Sequence, residues 1–160
     1  NHAIRNNYLA KCSNDEILFP VNDDIIFKSK NWDKHIDTEF SKIDMDHAYC
    51  LWTDTGKKYS YLHSDFPILN RAWFDKLGYI SAEIFNHWYF DTWICELSFR
   101  SKRFHTCSDI QIYQYSAHSI KSEIDATHLR NTKNDNAIKD KIIWKDSLDT
   151  RIEDSKKLIN

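Results

Sequence analysis

Glycine is scarce in this chain of 160 residues, which contains only Gly56 and Gly78. Glycine-rich loops let the backbone approach phosphate groups, and the P-loop and dinucleotide-binding fingerprints each need several glycines close together. Because the two glycines lie 22 positions apart, the sequence contains neither of these glycine-rich motifs. A phosphate-containing ligand would therefore be held by a metal ion or by side chains.

The chain also lacks a large excess of positive or negative charge, cysteines at CxxC spacing and long apolar runs. The chain has 22 Lys and Arg against 24 Asp and Glu, so no strong field would gather nucleic acid or an anionic membrane. The four cysteines have no CxxC spacing, which favours reduced thiols and a cytoplasmic location over a zinc site or a disulfide framework. No apolar run approaches the ~20 residues of a transmembrane helix, and no signal-peptide pattern is present.

Helical and strand-like patterns alternate along the chain, and 41% hydrophobic residues are enough for a packed core. We predict one domain over residues 1–160, with an α/β fold in which helices flank a mixed sheet and a C-terminal helix follows. Helix 3–12 should bury Ile4, Tyr8 and Leu9, and Gly78 should end a helix. The predicted helices are 3–12, 31–43, 71–77, 86–101 and a solvated one from about 134. The predicted strands are 16–21, 109–115 and a hairpin of 47–53 with 58–63.

An acidic turn follows the first predicted strand. Asn22, Asp23 and Asp24 would project from the edge of the sheet, where open α/β sheets bind ligands. Neighbouring carboxylates repel each other unless a cation lies beside them, and oxygen ligands suit Mg²⁺ or Mn²⁺. The alternative is an ordinary turn in which Asp23 and Asp24 cap the next element.

The stretch from His87 to Trp93 combines dense aromatic residues with one carboxylate, Asp91. Indole and phenol faces stack on sugar rings, and a half-buried Asp among them would have a raised pKa and could act as a general base. The alternative is a core helix in which Trp88 and Trp93 pack. His118 follows strand 109–115 and could add a nitrogen ligand to a metal, although a surface histidine is the commoner role.

The order of these segments resembles the family-2-like glycosyltransferases with the GT-A fold, over roughly residues 5–130. The resemblance rests on the motifs at 16–27, 31–33, 66–74, 77–79 and 87–93. It implies a metal-dependent, inverting enzyme that transfers a sugar from a nucleotide-sugar donor to an acceptor hydroxyl. Residues 131–160 would form a helical tail outside this core.

The resemblance also implies roles for individual residues. Asn22-Asp23-Asp24 matches the Asp-X-Asp motif, so Asp24 would contact Mn²⁺ or Mg²⁺, while Asn22 and Asp23 would contact the donor. Asp91 matches the catalytic base, and His118 is the nearest match to a further metal ligand. The acceptor would stack on the aromatic side chains Trp88, Tyr89 and Trp93.

The part of the family domain that holds the nucleotide base has no counterpart here, and the sequence does not begin with Met. We therefore expect a fragment or trimmed chain, or one whose missing half comes from a homo-oligomer or a partner chain. The alternative function is a non-catalytic GT-A remnant that binds a saccharide or a protein. A third interpretation, a metal-dependent phosphoesterase, needs more converging carboxylates than the sequence offers.

Overall fold

A computed structural model describes residues 2–57, 62–114 and 135–159 of the chain. Within these residues it has an α/β fold with six helices and five strands, as the alternating pattern predicts. The helices are α1 His2–Cys12, α2 Trp32–Phe40, α3 Arg71–Leu77, α4 Phe90–Ser101, α5 Asn136–Asp146 and α6 Leu148–Ile159. The strands are β1 Ile17–Leu18, β2 Ile25–Phe27, β3 Cys50–Asp54, β4 Ile68–Asn70 and β5 Phe104–Gln114.

The strands form one mixed sheet in the order β1-β4-β3-β5-β2. The central pair, β3 and β5, is parallel, and every other neighbouring pair is antiparallel. The register shifts between Thr53 and Asp54, where Thr53 pairs with Cys107 but Asp54 pairs with Gln111. This irregularity turns Cys107 and Ile110 toward the same side of the sheet, although they are three residues apart.

Helices cover both faces of the sheet. On β3, Cys50 and Trp52 pack against α3, α4 and α6, whereas Leu51 between them packs against α2. This alternation follows from the two-residue period of a strand, and it explains why the first four residues of β3 are all buried. The core is therefore divided by the sheet into two clusters, one on each face.

Both glycines adopt a left-handed backbone, with φ of +70° at Gly56 and +77° at Gly78. Gly78 ends α3, as predicted, and nothing lies within 4 Å of where its Cβ would be. Gly56 is in the turn after β3, and a Cβ there would lie 1.9 Å from Cε1 of Tyr113. The turn beside β5 therefore depends on glycine both for its backbone angle and for space.

Helix α1 turns a different face to the core from the one predicted. Its buried residues are Ala3, Asn7 and Ala10, whereas Ile4, Tyr8 and Leu9 are 51%, 66% and 63% exposed. Asn7 is the reason, because its side-chain oxygen accepts a hydrogen bond from the Ile80 N–H at 2.8 Å and its amide donates to the Ser81 carbonyl. A polar side chain thus anchors the helix and leaves an apolar stripe in solvent.

Other elements differ from the prediction mainly in extent. Strand 16–21 is reduced to Ile17–Leu18, because Pro20 cannot donate a ladder hydrogen bond. Strand β3 pairs with β4 and β5, so the predicted hairpin partner is not its neighbour in the described residues, and 58–61 lie outside them. The tail forms two helices rather than one, and α6 buries Leu158 completely against the core.

The four cysteines are free thiols, of which Cys12 is exposed and the others are buried. No helix in the described ranges has both the length and the apolar character needed to cross a bilayer.

Candidate functional site

A cleft of about 280 Å³ lies between the acidic turn and the N-terminus of α4. It brings together segments that are far apart in sequence: the start of α1, residues 20–22, residues 65–66, the aromatic loop and the end of β5. The polar residues that line it are His2, Asn6, Asn22, Lys57, Asp65, His87, Asp91 and Gln114. Two segments predicted to carry chemistry, the acidic turn and the start of α4, therefore line one cavity.

Of the acidic turn, Asn22 lines the cleft, whereas Asp23 and Asp24 are not among its lining residues. Asp23 is exposed, whereas Asp24 is partly buried and its two carboxylate oxygens accept hydrogen bonds from Nε2 of Gln114 at 3.3 and 3.0 Å. Gln114 itself lines the cleft, so these hydrogen bonds connect the Asp24 carboxylate to a residue of the cleft wall. The predicted metal ligand His118 lies outside the described residues.

Asp91 lies in the first turn of α4, with its side chain about one-third exposed to the cleft. One oxygen, Oδ1, accepts a hydrogen bond from the Thr92 backbone N–H at 2.7 Å. The other, Oδ2, is 3.1 Å from Nε2 of His63. The helix N-terminus favours the ionised carboxylate, because its free N–H groups carry partial positive charge.

His63 controls the charge state of Asp91. Burial alone would lower the pKa of His63, but hydrogen bonds to Asp91 and Cys95 and the negative charge of Asp91 raise it to about 10. For Asp91, burial acts to raise the pKa, yet the hydrogen bond and charge of His63 outweigh burial and lower it. The expectation of a raised pKa at Asp91 was wrong, because no pattern in the sequence pairs His63 with this carboxylate.

The Asp91–His63 pair belongs to a row of alternating charges. Lys57 Nζ contacts Oδ2 of Asp65, and Oδ1 of Asp65 is 3.7 Å from Nε2 of His63. The order is therefore cation, carboxylate, imidazolium, carboxylate, which leaves the row neutral when His63 is protonated. One ligand atom from each of His63, Asp65 and Asp91 lies within 4.8 Å of the others, and in the described part of the chain no other trio of His, Cys, Asp or Glu does so.

Cys95 is next to the same histidine, one helical turn after Asp91, and the three residue types are those of a nucleophilic triad. Cys95 is only 4% exposed, and its thiol donates to the Ser64 carbonyl. Burial raises the pKa of this thiol to about 11, so it carries no nucleophilic thiolate at neutral pH. The arrangement is a packed thiol rather than a cysteine-hydrolase site.

The aromatic residues before and within α4 differ in their access to the cleft. Trp88 is 41% exposed and lines the cleft. Tyr89 also lines it, but its ring stacks on Trp144 of α5 with centroids 5.0 Å apart. Trp93 is fully buried in the core, so its predicted contact with a ligand is wrong. The helical spacing of the tryptophans could not distinguish the core side chain from the exposed one.

A buried carboxylate from α5 shapes the loop before α4. Asp140 accepts four hydrogen bonds, from the backbone N–H groups of Asn86, His87 and Trp88 and from the Asn86 side-chain amide, at 2.8–2.9 Å. Because these N–H groups point at Asp140, residues 86–88 form a loop and the helix begins only at Phe90, four residues later than predicted.

Tyr89, between this loop and α4, has a φ of +69°. A left-handed backbone is costly for a bulky residue and persists only where the surroundings enforce it. Here the Asp140 hydrogen bonds hold the chain before Tyr89, and the Trp144 ring covers its side chain. Helix α5, which carries both Asp140 and Trp144, therefore determines the shape of the cleft wall that presents Trp88.

Sequence reasoning missed three residues of this site: His63, Asp65 and Asp140. The only signal for the first two was their position just before the apolar run at 66–69. Asp140 lies in a polar stretch and shows no pattern that separates it from Asp146, the exposed acid of the same helix.

Comparison with known proteins adds no family to these observations: neither a family model, nor a curated protein, nor a solved structure matches the chain.

Proposed function

We propose that the chain is a glycosyltransferase-like domain that transfers a sugar from a nucleotide-sugar donor to an acceptor hydroxyl, with inversion and with the help of a divalent metal. The observation that carries the proposal is the cleft that an ionised, accessible Asp91 lines together with Asn22 of the acidic turn. A single displacement needs two parts. One is a base positioned to accept the proton of the acceptor hydroxyl, and the other is a set of oxygen ligands that can hold the metal ion of the donor.

In this mechanism Asp91 accepts the proton of the acceptor hydroxyl as that oxygen bonds to the anomeric carbon. The bond from the anomeric carbon to the diphosphate oxygen breaks at the same time, and the nucleoside diphosphate leaves with the electron pair. His63 keeps Asp91 ionised before the reaction and fixes the direction of Oδ2 through the 3.1 Å contact. The base is therefore charged and oriented without a metal ion next to it.

The donor set at the acidic turn fits Mg²⁺ or Mn²⁺. Asp24 supplies a carboxylate, which Gln114 holds through its Nε2, and Asn22, two residues earlier, supplies an amide oxygen at the cleft. Mg²⁺ in phosphate-handling sites commonly takes one or two carboxylates and completes its shell with water and phosphate oxygens. Bound there, the ion would neutralise the charge of the departing diphosphate. Gln114 orients the Asp24 carboxylate for this purpose.

Trp88 is the side chain we assign to the sugar. Its indole is accessible at the cleft wall, and the loop that carries it is fixed by Asp140. A rigid aromatic face costs little entropy when a ring stacks on it. Tyr89 stacks one face of its ring on Trp144, so we assign only the edge of this ring to contact with the sugar.

Calorimetric titration with UDP- and GDP-sugars in the presence of Mn²⁺ tests the proposal. We expect binding that disappears on chelation and that Asp24→Asn weakens at least about tenfold. Asp23→Asn is the matched control, since Asp23 is the exposed neighbour and should have the smaller effect. Absence of metal-dependent binding for every donor would contradict the proposal.

A second candidate is the non-catalytic remnant that binds a saccharide or a protein partner. The apolar stripe Ile4, Tyr8 and Leu9 favours it, because large exposed apolar side chains that share one helix face are typical of contact surfaces. The same titration separates the two candidates, since a remnant would bind no nucleotide sugar.

A further inference from the structure

The side chains of His63, Asp65 and Asp91 have the geometry of a metal site that is separate from the acidic turn. Nε2 of His63 lies 3.1 Å from an oxygen of Asp91 and 3.7 Å from an oxygen of Asp65. Zinc ligands at ~2.0–2.1 Å in a tetrahedron are about 3.4 Å apart, so these two separations lie on either side of the required value. The carboxylate oxygens of Asp65 and Asp91 also lie within 4.8 Å of each other, so the three atoms can converge on one ion when the side chains draw together around it.

The types of ligand select among the divalent metals. One imidazole nitrogen with two carboxylates suits Zn²⁺, whereas Mg²⁺ prefers oxygen ligands alone and an octahedral shell. The acidic turn offers only oxygen ligands, so the two ends of the cleft should prefer different ions. A zinc ion at His63 would then not compete with magnesium at Asp24.

The three ligands leave room for a fourth. The side chains of His63, Asp65 and Asp91 are 34%, 16% and 33% exposed, and both carboxylates line the cleft. A bound ion would therefore have one side open to water, which is the arrangement of a site with three protein ligands. Lys57 contacts the other oxygen of Asp65 and would offset part of the negative charge of that carboxylate.

We propose that His63, Asp65 and Asp91 bind Zn²⁺, which would lie between Nε2 of His63 and one oxygen of each carboxylate. A carboxylate that ligates zinc is no longer available as a base. If the proposed function holds, zinc should inhibit sugar transfer and a chelator should restore it, so this consequence rests on that function. The site itself does not depend on that function, because it is defined by three side chains alone.

Titration of the metal-free protein with Zn²⁺ tests the site directly, with calorimetry for affinity and with Co²⁺ as a probe of tetrahedral geometry by its visible absorption. We expect one strong site, which His63→Gln weakens by about 100-fold or more and Asp65→Asn by at least about tenfold. Asp91→Asn should weaken it as Asp65→Asn does. Removing even an outer partner of a zinc ligand costs about 10–100-fold, so loss of a direct ligand should cost no less.

His105→Gln is the matched control. His105 has the same kind of partner, with Nε2 at 3.2 Å from an oxygen of Glu39, but it belongs to no group of three ligands among the described residues. This variant should bind Zn²⁺ like the wild type. Equal affinity in the wild type and in a folded His63→Gln or Asp65→Asn variant would overturn the proposal and indicate an adventitious surface site.

The zinc titration needs no donor, and the donor titration is done with Mn²⁺ and no zinc. If the zinc titration shows no binding at His63 but the donor titration succeeds, the zinc site is refuted and the glycosyltransferase proposal stands. The reverse result keeps the zinc site and removes the proposed function, and with it the inhibitory consequence.

Discussion

The carboxylate of Asp140 accepts a hydrogen bond from the backbone N–H of Trp88 at 2.9 Å, across 52 residues of sequence. The helix that carries Asp140 therefore contributes to the cleft although none of its residues lines it. Asp140 is fully buried, so this contact and its three companions are shielded from competition by water.

Asp140→Asn should loosen the loop that presents Trp88. The asparagine amide would place its own N–H donors against some of the four N–H groups that the carboxylate accepts. We expect a loss of at least about 2 kcal/mol in the free energy of unfolding, measured by urea denaturation. Hydrogen exchange should also accelerate at the amides of residues 86–88 more than at those of β3 and β5.

Asp146→Asn is the control for that change, because Asp146 is an exposed acid of the same helix. It should alter the stability by less than about 0.5 kcal/mol. Uniform acceleration of exchange across the sheet in Asp140→Asn would mean that the carboxylate supports the whole fold rather than the loop.

The His63–Asp91 pair should make stability depend on pH in the alkaline range. The folded-state pKa of about 10 is above the unfolded value of 6.5, so the protonated histidine stabilises the fold fully below pH 6.5. This contribution is lost as the pH rises through about 10. An NMR titration of the His63 ring in metal-free protein would measure the pKa.

Asp91→Asn should lower the pKa of His63 from its wild-type value of about 10, because burial of His63 remains while the hydrogen bond and the negative charge of Asp91 are lost. His47→Gln, at a half-exposed histidine paired with Asp44, should leave the pKa of His63 unchanged. A His63 pKa near 6.5 in the wild type would contradict the ion pair.

Asp91→Asn should also reduce sugar transfer by about 10²–10⁴-fold, the usual contribution of a positioned general base. Donor binding should persist, because Asp91 contacts the acceptor side of the cleft in the proposed mechanism. The measurement is the transfer rate at saturating donor, alongside calorimetric donor affinity. A wild-type rate in this variant would remove Asp91 from the base role.

Gly56→Ala and Gly78→Ala form a matched pair for stability. Both residues are left-handed, so each alanine should cost about 1 kcal/mol from backbone strain alone. Gly56→Ala should cost a further ~1–3 kcal/mol, because its methyl group would overlap Tyr113. In a Tyr113→Ser background the two costs, measured by urea denaturation, should become similar. A persistent difference there would show that the Tyr113 ring is not the cause.

The sequence predicted elements well where one local signal decided them. The apolar spacing of Trp32, Ile36 and Phe40 predicted α2, and Gly78 predicted the end of α3. Prediction failed where a distant polar group decided the outcome. Asn7 rotated α1 relative to its apolar stripe, and Asp140 delayed the start of α4. Neither of these hydrogen-bonding roles produces a hydrophobic periodicity that could be recognised in the sequence.

The sequence predicted only those residues of the candidate site that stand out by residue type and by their neighbours. Asn22 and Asp91 were identified from their residue types and neighbours, and both line the cleft. His63 and Asp65 were not, because a His-Ser-Asp segment carries no spacing rule that assigns it a partner. Their importance arises from the packing of residues 62–66 against α4, which brings a histidine to the carboxylate of Asp91.

Helix α6 follows every strand of the described sheet in chain order, yet it buries Leu158 in the core beside α4. On the ribosome, a nascent chain that has already released all five strands would still expose the core surface that Leu158 covers. Productive assembly of the cleft should therefore await the emergence of this helix, and until then the half-built sheet would be a natural client for chaperones.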